Sequence, residues 1–477
     1  MTTINLANKT KYQSSLVRIS PALLLVYILI GGLLAGSLLA GCNKSDPLDP
    51  ANPVTLTIWH PYEQRMRINM DELINEFNST VGLERGIIIR DTYVARYTEI
   101  SRTLISAADG VPGAPELPDI AVVYPGVAII MAEKGLLVDL YTRFTADELS
   151  RYIPAFLEEG KIDGALYIMP VAKSTEVMFV NATIFNRFAA EVALQEEESI
   201  TLSRLATFEG ILETAEKYYE WSGGKAFMYY SDLFNYSLSG FDQLDGNFMA
   251  DNRINFSSPI FQRVWDAYFP LSVKGGLAIF NSFGSHLMAT GETVGFLDST
   301  ASIAFLPNTV TYSDNTKEDY ELIILPYPVF EGGVKASVQQ GGGMCVFKSD
   351  AKKEYAAAVF LKWFTEPQRN ISFTANLGYM PVTAQAFDLY LEKPPAHITD
   401  ENIIKLINVI VEMQQNYNFP FPPVFDGVEE MRMNYVRALR AAAENARNEY
   451  LSGAAYETGS FETHSADALE QFIADIR

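Results

Sequence analysis

The chain has 477 residues, 48% of them hydrophobic and 20% charged, with 58 Asp plus Glu against 36 Lys plus Arg, a formal net charge of −22. This is globular composition for about two to four domains, not a fibre or a disordered tail. The acidic balance argues against a nucleic-acid binder and against a polybasic membrane contact, and two cysteines exclude a disulfide framework.

The first 20 residues carry Lys9, Lys11 and Arg18 and no acid, and Pro21 to Gly41 is an uncharged apolar run. A basic start, an apolar centre and a small-residue exit form the layout of an export signal. Leu39-Ala40-Gly41-Cys42 resembles the bacterial lipobox, so residues 1–41 read as a lipoprotein signal peptide and Cys42 as the acylated first residue. The rival is an uncleaved membrane anchor, since about 20 apolar residues can span a bilayer. Either way the folded part lies outside the cytoplasmic membrane. Cleavage removes three cations and no acid, taking the net charge from −22 to −25. Residues 42–53, polar and Pro-rich, read as a tether.

Val54–His60 alternates apolar residues and reads as a strand. Arg67 to Asn78 has helical spacing, IIIRDTYV is a second strand, TEISRTLISAA a second helix, and DIAVVYP a third strand before a helix at Val127–Lys134. Such β-α-β-α-β alternation predicts a parallel sheet with right-handed crossovers. Asp163–Phe185 holds two β-rich runs around a Pro-Val-Ala-Lys-Ser-Thr junction, and Phe208–Trp221 and Phe261–Lys274 read as helices. VGFLDSTASIAFL, ELIILPYPVF and GGGMCVF are further strands. Ser349 stands as the N-cap of the next helix, and Glu429–Glu449 and Ala466–Arg477 read as the last two. Cys345, in an apolar stretch, reads as a buried thiol rather than a nucleophile.

Five segments in this order resemble the family 1 extracellular solute-binding proteins, the receptors of bacterial ABC importers. They are VTLTIWHPYE; LPDIAVVY with MAEKGLLVDL; DGALYIMPVAKSTEVMFVNATIF; GGGMCVFKSDAKKEYAAAVFLKWFTEPQ; and LGYMPVTAQAFD. Val180-Asn181 departs from the family's usual Tyr-Asn. The resemblance spans essentially all of residues 54–477. It implies a two-lobed α/β fold of the type II periplasmic-binding-protein kind. Lobe one would be residues 54–171 plus 325–378 and lobe two 172–324 plus 379–477, with a ligand cleft between them that closes about a hinge.

A sugar site needs flat aromatic faces and a few hydrogen-bonding groups. Aromatics and small polar residues gather where strands end: Trp59, His60 and Tyr62; Tyr97; Tyr124; Ser174 and Thr175; Asp298, Ser299 and Thr300; Gly341 and Gly342; and Tyr379. Any one aromatic alone packs a core more often than a ligand, and the shared placement is what groups them. Among family members the chain looks most like the glycerol-3-phosphate-binding type, whose ligand contacts match the opening Trp59-His60 and Tyr97, Ser174, Ser299, Gly341 and Tyr379. Two positions depart from that type. Pro125 replaces an acid, and Tyr435 replaces an arginine that helps hold phosphate, with Arg432 one turn away as a substitute. Losing a bidentate guanidinium removes a phosphate partner, and the acidic chain repels a dianion. The expected ligand is therefore a neutral carbohydrate or polyol, with glycerol-3-phosphate or a glycerophosphodiester as the alternative.

No G-x-S-x-G elbow, P-loop or H-E-x-x-H is present, and Ser349-Asp350-Ala351-Lys352 fits S-x-x-K without its K-T-G companion. The four histidines, His60, His286, His397 and His464, do not sit at metal-ligand spacing. The reading is a non-enzymatic receptor acting as a monomer, with no cofactor, no metal and no nucleic acid, anchored by lipid and partnered by permease subunits. A sensor input without transport and a hydrolase with an unrecognised carboxylate pair are the rivals.

Overall fold

The structure is a computed structural model that describes residues 46–94, 97–196, 199–392, 398–425, 427–453 and 461–476. The export signal and Cys42 lie outside the described residues. The folded body begins at Leu48. Residues 48–53 are not a free tether: Leu48 is buried, Asn52 N–H closes a turn on Asp49 O, and Lys352 Nζ donates to Asn52 O at 2.7 Å.

The chain opens with β1 (Val54–His60), α1 (Gln64–Ser79), β2 (Ile87–Tyr93), α2 (Tyr97–Ala108), β3 (Ile120–Val123) and α3 (Pro125–Glu133), and reaches β4 (Met169–Pro170). It then enters β5 (Ser174–Asn181), followed by α4 (Phe208–Trp221), β6 (Met228–Tyr230), α5 (Leu233–Gln243), α6 (Gly284–Thr290), β7 (Gly295–Ser299) and β8 (Leu322–Pro326). After β9 (Gln339–Gln340) it returns as β10 (Gly343–Val346), then α7 (Ala351–Phe364), α8 (Pro367–Thr374) and, near the end, α9 (Val428–Ser452).

Two sheets result, with strand orders β2-β1-β3-β10-β4 and β8-β5-β7-β6. The first is parallel across β1, β2 and β3, as the alternation required, and antiparallel where β10 joins β3. Its apolar strands are covered on both faces. Phe77 of α1 packs edge-on against Phe360 and Trp363 of α7 on one side, and Trp59 joins Ile100, Leu104 and Val127 on the other. Asp119, at the start of β3, accepts from Thr57 N at 2.8 Å and from Lys353 Nζ at 3.0 Å, so the Pro-Asp motif is a tie between strands. In the second sheet β5 is buried along its whole length between β8 and β7. Asn181, at its end, accepts from Ile184 N at 3.0 Å and starts the next helix.

Three passages link the sheets. The chain leaves β4 for β5 through residues 171–173. It returns between β9, which still pairs with β5, and β10, which pairs with β4. The third passes Met380, whose backbone exchanges hydrogen bonds with Lys173. Asn370 clamps two of them, donating to Val171 O at 2.7 Å and accepting from Val382 N at 2.8 Å. Two expectations shift in detail. The helix expected over 261–274 is two, Pro259–Asp266 and Phe269–Lys274, because Phe269-Pro270 cannot continue the first. Asp350, not Ser349, caps α7, accepting from Lys352 N and Lys353 N. Cys345 is fully buried among apolar side chains, which pushes its thiol well up.

Candidate binding cleft between the lobes

The register across the second sheet defines one end of it. Ser299, the last residue of β7, pairs with Glu176 near the start of antiparallel β5, and β6 runs parallel to β7. The end of β7, the end of β6 and the start of β5 therefore meet at one edge, beside the passages to the first lobe.

Glu176 is the buried centre of that edge. It accepts from Asn235 Nδ2 at 2.9 Å and from Gln340 Nε2 at 3.0 Å. Burial, with Asp232 and Asp298 nearby, pushes its carboxyl up to about 8 against the opposing pull of Asn235 and Arg432. Asp232 caps α5, accepting from Phe234 N and Asn235 N at 3.0 Å, while its other oxygen takes the Arg432 guanidinium. Asp298 accepts from Ser231 Oγ at 2.9 Å and Ser299 N at 2.7 Å, and burial raises its carboxyl too. One helical turn pair further along α9, Arg440 donates to Ser231 O, Tyr229 Oη and Asn281 Oδ1. Arg432 and Arg440 thus lie on one face of α9.

The first lobe contributes tyrosines. Tyr124 caps the start of α3 and is 41% exposed, yet its phenol end is deep enough that burial, then Tyr379, raises it; Arg432 and Glu429 also act on it. Tyr62 feels both Tyr379 and Tyr124. At the hinge Lys173 and Glu159 form a buried ion pair, and Lys173 Nζ also donates to Gly341 O at 3.1 Å. Lys173, Glu159 and Gly341, with Pro125, Phe156 and Gly343, line a shallow recess there.

The residues expected at the site separate accordingly. Tyr124, Tyr379 and Arg432 come together. Ser174 and Ser299 stand at the sheet edge, the first buried against Gln340 and the second capping residues 300–305. Gly341 has φ of +115°, and a Cβ there would meet Ala172 O at 2.7 Å; Gly342 is buried beside it. His60 is fully buried. Its Nδ1 accepts from Tyr62 N at 3.3 Å, its Nε2 faces Asp91 at 3.4 Å, and burial lowers its pKa, so the ring is a neutral packing element stacked on Tyr62. Trp59 lies inside the core under α2 and α3. Tyr435 is 1% exposed, packed by Phe234, Phe248 and Phe472 and bonded to Ser237 Oγ at 2.7 Å, so it offers a ligand nothing. Tyr97 opens α2, and its side chain lies outside the described residues.

Sequence reasoning did not single out Glu176, Asp232, Lys173, Glu159 or Arg440. An acid inside the otherwise apolar run of β5 was the one available signal.

Two α/β lobes joined by three passages, with a polar cleft at the strand ends, define a two-lobed binding protein of the type II periplasmic fold. Residues 72–402 match the family model for bacterial extracellular solute-binding proteins, and the chain belongs to that family. It is 23% identical over 358 residues to the sn-glycerol-3-phosphate-binding periplasmic protein UgpB of Shigella flexneri, covering 71% of this chain and 76% of that one. Among solved structures it resembles the cyclic α-maltosyl-1,6-maltose binding protein of Arthrobacter globiformis, with TM-score 0.65, 18% identity, and 89% and 99% of the two chains covered. It also resembles UgpB of Mycobacterium tuberculosis in complex with glycerophosphocholine, with TM-score 0.63, 15% identity and the same coverage. At these identities the structural likeness is one of fold. Proteins of this family are exported receptors of ABC importers. Among the described residues no helix is long and apolar enough to cross a membrane.

Proposed function

We propose that this chain is the solute-capturing subunit of an ABC importer, that Cys42 anchors it by lipid, and that its cargo is a neutral carbohydrate or polyol. It acts as a monomer and does no chemistry on the solute. The lobes would be residues 54–171 plus 343–378 and residues 172–340 plus 379–477, since β8 and β9 both pair with β5.

The observation that carries the choice of ligand is the Arg432–Asp232 pair. The arginine nearest the tyrosines is already committed to a carboxylate, with Glu176 and Asp298 alongside. Arg440 is spent on three neutral acceptors and Lys173 on Glu159. A phosphate would have to displace Asp232 from Arg432, whereas carboxyl groups and tyrosine hydroxyls suit sugar hydroxyls. The names of the two glycerol-phosphate relatives favour a second reading, a glycerol-3-phosphate or glycerophosphodiester receptor.

A thermal-shift panel on residues 43–477, holding sugars, polyols, glycerol phosphates and amino acids, separates the readings. A ligand at about 100 times its Kd adds about 2.7 kcal/mol. Shifts confined to neutral saccharides or polyols support the proposal, and a shift confined to glycerol phosphates replaces it with the second reading. Release of a C42S variant from the membrane fraction is expected if the anchor is as proposed.

A further inference from the structure

The second sheet continues past β6. Leu277 bridges Met228 in parallel, and Ala278 N donates to Met228 O at 2.9 Å, so Leu277 and Ala278 extend the sheet beside β6 and residues 279–283 lead on from them. Their far end lies at the same sheet edge as Glu176, Ser299 and Ser231. Tyr229 Oη donates to Phe280 O at 3.0 Å and Ser282 O at 3.1 Å, and Arg440 holds Asn281. From β5 at the hinge, across β7 and β6, to this segment is three strand spacings, about 14 Å. A single sugar ring does not cover that distance.

At the outer end stand two exposed aromatics. Phe283 is 66% and Phe305 59% exposed, and their rings are near-parallel at 17° with centroids 6.4 Å apart. His286 meets Phe283 edge-on, and its Nδ1 lies 3.3 Å from Ser282 Oγ. Phe305 ends the 3-10 turn that Ser299 caps, so the pair is joined by backbone to the inner site. The two stacked rings leave a small apolar face open to solvent. Flat apolar faces rimmed by hydroxyl and imidazole groups match the C–H face and hydroxyl rim of a sugar ring.

The geometry points to an outer saccharide subsite on Phe283 and Phe305, so that the ligand is an oligosaccharide reaching from Glu176 to this pair. The inference rests on the carbohydrate reading given above. Its test is calorimetric titration of malto-, cello- and xylo-oligosaccharide ladders, from monosaccharide to hexasaccharide, against the wild type, F283A, F305A and the double variant. Both side chains are exposed, so the variants keep the wild-type Tm. Affinity of the wild type is expected to rise with length. Each single variant loses about threefold to tenfold on the longer members only, the double variant loses the length-dependent gain, and F283W restores it. Binding that does not depend on length, or a length dependence the double variant keeps, overturns the subsite and leaves the carbohydrate reading intact. No binding of any ladder overturns both. Wild-type binding by variants that fail to support uptake makes the pair a permease-docking face and overturns the subsite.

Discussion

Glu176 is a carboxyl whose surroundings decide its charge. Its folded pKa is raised by burial, then by Asp232 and Asp298, to about 8. The folded state therefore holds a proton that the unfolded chain has released above the ordinary carboxylate range. Stability from this group is present at low pH and lost as pH rises from about 5 to 8, by at most about 1.4 kcal/mol per pH unit. E176Q, which cannot ionise, is expected to lose that slope and to be the more stable protein at pH 8; urea unfolding of both across this range measures the difference. Equal slopes would show that Glu176 is ionised in the fold. Arg432 has a different task, tying α9 to the cap of α5 through Asp232. R432A is expected to weaken saccharide binding about tenfold or more and leave Asp232 without its cation, an effect that D232N should not reproduce in size. Neither residue's role was legible beforehand. Arg432 stood out only as a substitute for the arginine missing at Tyr435. That tyrosine is a core residue because an aromatic pocket of Phe234, Phe248 and Phe472 closes on it.

At the scale of elements, the hinge holds a buried charge pair and a glycine at positive φ. Lys173 and Glu159 are 3% and 5% exposed. K173M leaves a buried carboxylate without its partner and should cost about 3–5 kcal/mol, whereas K173M/E159L should recover most of the loss. Thermal or denaturant unfolding of the two variants reads this directly. G341A meets both a left-handed backbone and a 2.7 Å approach to Ala172 O, and is expected to cost about 1–3 kcal/mol or more. The elements themselves were readable where periodicity is strong: β1 is Val54–His60 as expected, and α4 is Phe208–Trp221. What could not be read was which strand end meets which. Glu176 faces Ser299 through an antiparallel register fixed across more than a hundred residues of chain, and no local pattern encodes that pairing. Trp59 and His60 show the same limit. They follow the expected strand, but the helices that cover the sheet seal them inside.

For the whole molecule, five motifs in order pointed to the two-lobed fold, but not to the strand pairing that keeps β8 and β9 with the second sheet. The acidic net charge acts at long range against anionic cargo. A neutral ligand leaves its affinity almost indifferent to salt, while an anion bound by arginine loses affinity as ions screen it. The most direct test is a calorimetric titration of residues 43–477 with neutral saccharides and, separately, with sn-glycerol-3-phosphate. The account predicts saturable binding of a saccharide with little salt dependence and no competition from the phosphate. Tight, salt-sensitive binding of sn-glycerol-3-phosphate, with no saccharide bound, would contradict it.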